Sequence, residues 1–289
     1  MLSLTGQLEN LLKQLKNLLP DLPSSRSDCR QCIANIFSYA LADTRRPLNE
    51  VTLWDWSNIV AAFYKAAIVQ ALLDDPVEPP LFLRWRLLGV RIDATAFSEN
   101  VTRIPDLKVR QELLTNGLDK VRTLLEETYP LGTEVYRDAN GSMFIVPDIS
   151  HLLSLVNGQK EVLSDLIRKE FSTGTVKEDA SLKLGDEVVP SIEFDPSKKK
   201  AWFWYDPASH HAPLPIVDHL TQRPESAAKP TTVRNWWQNY SADICTVCQL
   251  RPQGWGATDR KALDRKLCAV CEERRNDRCA DWTTKLATT

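Results

Sequence analysis

Leucines at positions 4, 8, 11, 12, 15, 18 and 19 recur at the three- and four-residue spacing of one helical face, which predicts an amphipathic helix over residues 2–19. Pro20, Pro23 and the serines at 24, 25 and 27 interrupt that pattern, and a second helix is expected from about Cys29 to Leu41. After the turn at Arg46-Pro47, the stretch from Trp54 to Leu73 is apolar on most faces and predicts a helix buried on several sides. The run Asp74-Asp-Pro-Val-Glu-Pro-Pro80 breaks it and marks a domain boundary.

The period then changes. Trp85 to Ile92 is a short apolar run with β-branched residues, predicted as a buried strand that ends at Asp93. Leu107 to Tyr129 carries Val109, Leu113, Leu114, Leu118, Val121, Leu124 and Leu125 on one helical face. Two short strands, Gly132–Tyr136 and Ser142–Val146, flank Arg137-Asp-Ala-Asn-Gly141, where Asn140-Gly141 predicts a type I′ hairpin turn. Ile149 to Phe171 reads as another amphipathic helix and Val188 to Phe194 as a strand. The order β-α-β-β-α-β is that of the ferredoxin-like fold, so the fold class expected is α+β. Residues 195–240 look irregular and Pro-rich.

At 289 residues, with 43% hydrophobic and 26% charged residues, the chain has room for about two globular domains. No basic leader followed by an apolar stretch opens it, and no uninterrupted run reaches the length of a membrane span; a cytoplasmic protein without membrane contact is the expectation. The net charge of −2 hides an asymmetry: residues 198–289 hold 15 Lys/Arg against 10 Asp/Glu, leaving 21 against 28 in residues 1–197. A basic tail is compatible with phosphate contacts, though not diagnostic of them.

The sharpest chemical signal lies in that tail. Cys245-Thr-Val-Cys248 and Cys268-Ala-Val-Cys271 are two pairs with two-residue spacers, separated by 19 residues. Each tight turn can aim two thiolates at one ion, and two pairs complete the tetrahedral sulfur shell of a structural Zn²⁺. Two disulfides are the alternative, disfavoured by an odd total of seven cysteines. A closed four-thiolate shell has no open coordination position, so this metal should build structure and not do chemistry.

Other features carry weaker signals. Cys29 and Cys32 share the spacing but lack a second pair, and packing explains them; Cys279 reads as a spare thiol. Asp93 follows the first predicted strand and Asp138 lies in the hairpin; two-metal phosphoryl chemistry would need such carboxylates close together, yet each also fits a cap or turn. Of the histidines, His210, His211 and His219 lie in the connector and read as solvated. Lys198, Lys199, Lys200, Arg234, Arg251 and Arg260 interleave with Trp202, Trp204, Trp236, Trp237 and Trp255. Such a set either stacks on unpaired RNA bases while cations hold phosphates, or packs internally or at a subunit interface.

The segment Ala42-Asp-Thr-Arg-Arg-Pro-Leu-Asn-Glu-Val-Thr-Leu-Trp-Asp-Trp-Ser57 with its Ala-rich helix resembles the HD-nuclease region of the large subunit of type III CRISPR effector complexes. Leu87-Leu-Gly-Val-Arg-Ile-Asp93 through Val135-Tyr-Arg-Asp-Ala-Asn-Gly-Ser-Met-Phe-Ile-Val146 looks like the first, cyclase-like palm of those subunits, and the cysteine module is similar to the zinc insertion after it. The resemblance implies an HD-like helical region over 1–80, a palm over 81–197, a connector over 198–240 and a zinc module over 241–289. It also implies an antiviral ribonucleoprotein, with contacts to the subunit capping the guide RNA's 5′ end, to small subunits, and to guide and target RNA. Two departures qualify it. Trp56 stands where the family's Leu-Trp-Asp-His-Ser core has histidine, and residues 1–80 contain none. No Gly-Gly-Asp-Asp hairpin of the second palm occurs, so no catalytic residue is assigned and ATP is a ligand that no motif supports. The expectation is a structural, RNA-associated component matching the N-terminal part of the large subunit. A cyclase-lineage enzyme completed by a second palm elsewhere, or a zinc adaptor unrelated to CRISPR, are the alternatives.

Overall fold

A computed structural model describes residues 4–40, 51–73, 85–99, 101, 103–176, 182–194, 222, 224, 226–258 and 260–275. The chain divides into two compact units, Met1–Tyr64 and Lys65–Thr289.

In the first unit, α1 (Leu4–Leu18) follows the leucine periodicity. A 3₁₀ turn, Leu19–Asp21, leads directly into α2 (Leu22–Phe37). The second helix therefore begins well before Cys29. Pro23 lies in its first turn, where a missing N–H leaves no intrahelical bond unmade, and Ser25 turns its hydroxyl back onto the carbonyls of Leu18 and Asp21. These residues start a helix where the sequence pattern predicted a break. Among the described side chains of the pair, Leu11 and Cys29 are buried.

Helix α3 (Leu53–Leu73) runs across the division between the units. Its start is a reciprocal cap in which the Thr52 hydroxyl donates to the Asp55 carboxylate at 2.5 Å and accepts from the Asp55 amide at 3.1 Å. Ala62, Ala66, Ala67, Val69 and Gln70 are buried, while Trp56, Val60, Tyr64, Ile68 and Leu72 are exposed. The helix is thus buried on one side, not on several. It is also the one described helix long and apolar enough to cross a membrane by length and composition. Isolated polar residues such as Lys65 and Gln70 break the run without much lowering the average.

The second unit is built on a four-stranded antiparallel sheet of order β2-β3-β1-β4, from β1 (Trp85–Arg91), β2 (Thr133–Asp138), β3 (Gly141–Pro147) and β4 (Ser191–Phe194). A short helix, α4 (Ala94–Ser98), and the long α5 (Ile104–Thr123) join β1 to β2; α6 (Leu163–Ser172) lies between β3 and β4. The order β-α-β-β-α-β follows the hydrophobic pattern. Leu88 and Val90 of β1, Ile92 just after it, and Phe144 and Val146 of β3 form the core with Leu113, Leu118 and Val121 of α5 and Ile167 and Phe171 of α6. Alternation along β1 puts Leu87, Gly89 and Arg91 on the opposite face.

Two local expectations change. Asp138 pairs with Gly141, so the hairpin loop is Ala139-Asn140, and neither residue has positive φ. Gly141 itself has φ 139°, and a Cβ there would lie 2.2 Å from the Val90 carbonyl. The glycine thus serves close strand approach beside the turn and not the type I′ geometry. Second, Ile149–Phe171 is not one helix. A 3₁₀ turn at Leu152–Ser154 and a bridge between Val156 and Val162 precede α6. Asn157 drives the break: its side-chain oxygen accepts the amides of Gln159 and Glu161, both at 2.9 Å, and Lys160 takes φ 63°.

Candidate metal centre

The region read as an irregular connector contains a helix, α7 (Pro230–Trp237), with Pro230 in its first turn. Two further short helices, α8 (Lys261–Asp264) and α9 (Ala269–Arg275), belong to the cysteine module. Cys245 and Cys248 lie on a knuckle closed by a bridge between Ile244 and Pro252. Within it the Cys245 amide donates to the Arg251 carbonyl at 2.8 Å and Gln249 takes φ 52°. Cys268 directly precedes α9 and Cys271 sits in its first turn; Lys266, at φ 57°, turns the chain into this second pair.

All four cysteines are buried and free, and their sulfurs lie within 4.8 Å of one another. Cys248 Sγ and Cys268 Sγ are 3.9 Å apart, and the Cys268 amide points at Cys245 Sγ at 3.3 Å. A zinc tetrahedron with Zn–S bonds of about 2.3 Å has sulfur–sulfur edges of about 3.8 Å, whereas a disulfide needs about 2.0 Å. The spacing fits a shared ion. Hydrogen bonds from Cys248, and then from Cys268 and Cys271, pull the Cys245 thiol far below its ordinary value. Those to Cys245, and then to Cys248, push Cys268 up. Four thiols this close cannot all ionise by themselves, and a divalent cation removes the conflict.

A set of buried charges fastens this module to the sheet. Glu187, between α6 and β4, lies 2.8 Å from Arg251 Nη1 and 2.9 Å from Arg274 Nη1; all three residues are buried. Arg274 Nη2 also donates to the Lys183 carbonyl at 2.6 Å. Arg275 grips the buried Asp106 of α5 with two bonds, at 2.7 and 2.5 Å. Arg110, also on α5, donates to the carbonyls of Phe97 and Val247. Arg251 stacks 4.0 Å from the Trp236 ring and 5.4 Å from that of Trp255. Burial works against the charge of Arg251, but the Glu187 carboxylate and the Cys248 and Cys268 sulfurs outweigh it and hold the guanidinium protonated. Beside this junction lies a cavity of 240 Å³ lined by Asp93, Phe97, Arg110, Glu187, Ser226 and Gln249, among others.

The nucleic-acid candidates separate accordingly. Arg251 and Trp236 are buried in the junction, and Trp237 donates its indole N–H to the Leu250 carbonyl at 2.8 Å. All three are engaged in contacts within the fold: Arg251 with Glu187 and the Trp236 ring, and Trp237 with the Leu250 carbonyl. Arg234 and Arg260 are exposed; Lys198, Lys199, Lys200, Trp202 and Trp204 lie outside the described residues, as do His210, His211, His219 and Cys279. Asp93 caps α4, accepting the Ala96 amide at 2.8 Å, and Asp138 accepts the Asn140 amide at 2.8 Å within its turn. Cys29 and Cys32 are free on α2, with no third metal-binding group near them among the described residues. Glu187, Asp106, Arg274 and Arg275 escaped the sequence reading, because nothing local distinguishes a carboxylate or guanidinium whose partner lies more than eighty positions away. Comparison with known proteins gives no relative: no family model, curated protein or solved structure matches the chain.

Proposed function

We propose that this chain is a zinc-stabilised structural protein in which a four-cysteine module is clamped onto a ferredoxin-like palm domain, and that it works as the N-terminal portion of the large subunit of a type III CRISPR ribonucleoprotein. The observation that carries the structural part is the convergence of Cys245, Cys248, Cys268 and Cys271 at sulfur spacings that suit zinc. The CRISPR part rests on the resemblance. A β-α-β-β-α-β sheet followed by a clamped cysteine module supports it, because that is the order of palm and zinc insertion in the family.

A non-catalytic role is favoured by the carboxylates themselves. Asp93 and Asp138 each cap local backbone, and Asp55, beside Trp56, is engaged by Thr52. An HD metal site also lacks its histidine. On this reading residues 1–80 are a degenerate HD-like region, the complex is cytoplasmic, and, of the described candidates, Arg234 and Arg260 are open to RNA. The test is co-purification: the tagged chain, expressed with its neighbouring genes, should retain a guide-length RNA and partner subunits along with zinc. Zinc without RNA or partners would favour the adaptor alternative.

A further inference from the structure

Glu187 is a single carboxylate shared by two buried guanidiniums, so its cluster with Arg251 and Arg274 carries one positive charge in excess. The guanidiniums are not saturated either. Nε and Nη1 of Arg251 and Nε of Arg274 are buried without a hydrogen-bond partner, and Arg251 Nη1 meets Glu187 as an ionic contact out of hydrogen-bond alignment. Neighbouring cations are already answered: Arg275 has Asp106, Arg265 has Glu272, and Arg110 has two carbonyls. A buried charge in excess, with free donors, calls for a negative centre close by.

The backbone brings that centre near. Arg251 is held to the first cysteine pair by the Cys245 amide bond to its carbonyl, and Arg274 follows Cys271 by three positions on α9, on the same face. A zinc ion with four thiolates has a net charge of about −2. Four neutral thiols, or two disulfides, supply none.

We propose that Arg251 and Arg274 are charge partners of the metal-loaded thiolate shell, so that metal binding and docking of the cysteine module on the sheet domain are one coupled event. Zinc on this account does more than fold its own knuckles. It completes the charge balance of a junction whose carboxylates, Glu187 and Asp106, belong to the sheet domain. Coupling is reciprocal, so a docked module holds zinc more tightly than a loosened one. The inference rests on the zinc reading of the site.

The experiment uses the full chain. Zinc content of the wild type is measured first; a protein that neither contains nor takes up zinc removes the metal reading itself, separately from the coupling. Zinc affinity is then compared by competition with a chromophoric chelator in wild type, Arg251→Met and Arg251→Lys. Charge partnership predicts zinc binding weaker by roughly ten-fold or more in Arg251→Met and by no more than about three-fold in Arg251→Lys, the size expected for groups that support a metal's ligands. Affinity in Arg251→Met within about two-fold of wild type, or equal weakening by both variants, would assign Arg251 to packing between two indoles and overturn the proposal. A wild-type measurement guards against misfolding of the variants. Chelating zinc should raise amide exchange at residues 187–194 of the sheet domain as well as at 244–275. Exchange that rises at 244–275 alone contradicts the coupling.

Discussion

Glu187 shows how much one side chain can hold. Its carboxylate neutralises part of a buried pair of arginines at 2.8 and 2.9 Å, so replacing it by glutamine keeps the shape and strands both cations. Removing one partner of a buried ion pair costs about 3–5 kcal/mol, and Glu187→Gln should lose that much in urea unfolding of the zinc-loaded protein. A loss below about 1 kcal/mol would mean that the cluster is screened by solvent. Two glycines of the second unit give a sharper contrast. A Cβ at Gly141 would lie 2.2 Å from the Val90 carbonyl, at φ 139°, whereas one at Gly158 meets nothing within 4 Å. Gly141→Ala should cost roughly 2–3 kcal/mol through strain and strand displacement, while Gly158→Ala should be neutral or slightly stabilising. Thermal unfolding of the two variants side by side checks the pair.

At the scale of elements, the strongly periodic segments were legible. The leucine face of α1, the apolar stretch of α3 and the inward face of α5 all became helices close to their expected bounds, because each pattern is local and long. The misreadings share another cause. Pro23 reads as a breaker unless its place in a first turn is recognised, and Asn157 reads as a helical residue unless its side chain is seen to cap two amides. Trp236 and Arg251 left two uses open in the sequence, RNA stacking or packing, because aromatic and basic residues side by side serve both, and the contact with Glu187 is visible only in the fold. The cysteine pairs were legible outright, since ligand spacing is a local constraint. Cys268→Ala should therefore abolish zinc binding and unfold residues 244–275, leaving the β1–β3 core folded: Leu88, Val90, Phe144 and Val146 are buried in a cluster that holds no residue of the module. Amide exchange resolved along the chain reads both effects. Acidification acts in the same direction, because protons compete with zinc for the thiolates, so zinc retention should fall as pH falls.

For the whole molecule, a structural metal and a catalytic one make different predictions. Residues 1–80 contain no histidine, so assays with Mn²⁺, Ni²⁺ or Co²⁺ should detect no DNase activity from this region. Cleavage abolished by Asp55→Ala would relocate the site to the N-terminus of α3. The chain alone should likewise make no cyclic oligoadenylate from ATP, because two-metal phosphoryl transfer needs carboxylates fixed around both ions, and those of Asp93 and Asp138 are taken up in local caps. Product lost in Asp93→Ala would instead make the sheet domain an enzyme.

The most direct test of the central claim is X-ray absorption at the zinc edge on protein purified without added metal. One zinc per chain with four sulfurs at about 2.3 Å is the predicted result. Absence of zinc, or a shell containing nitrogen or oxygen, would contradict a closed four-cysteine centre.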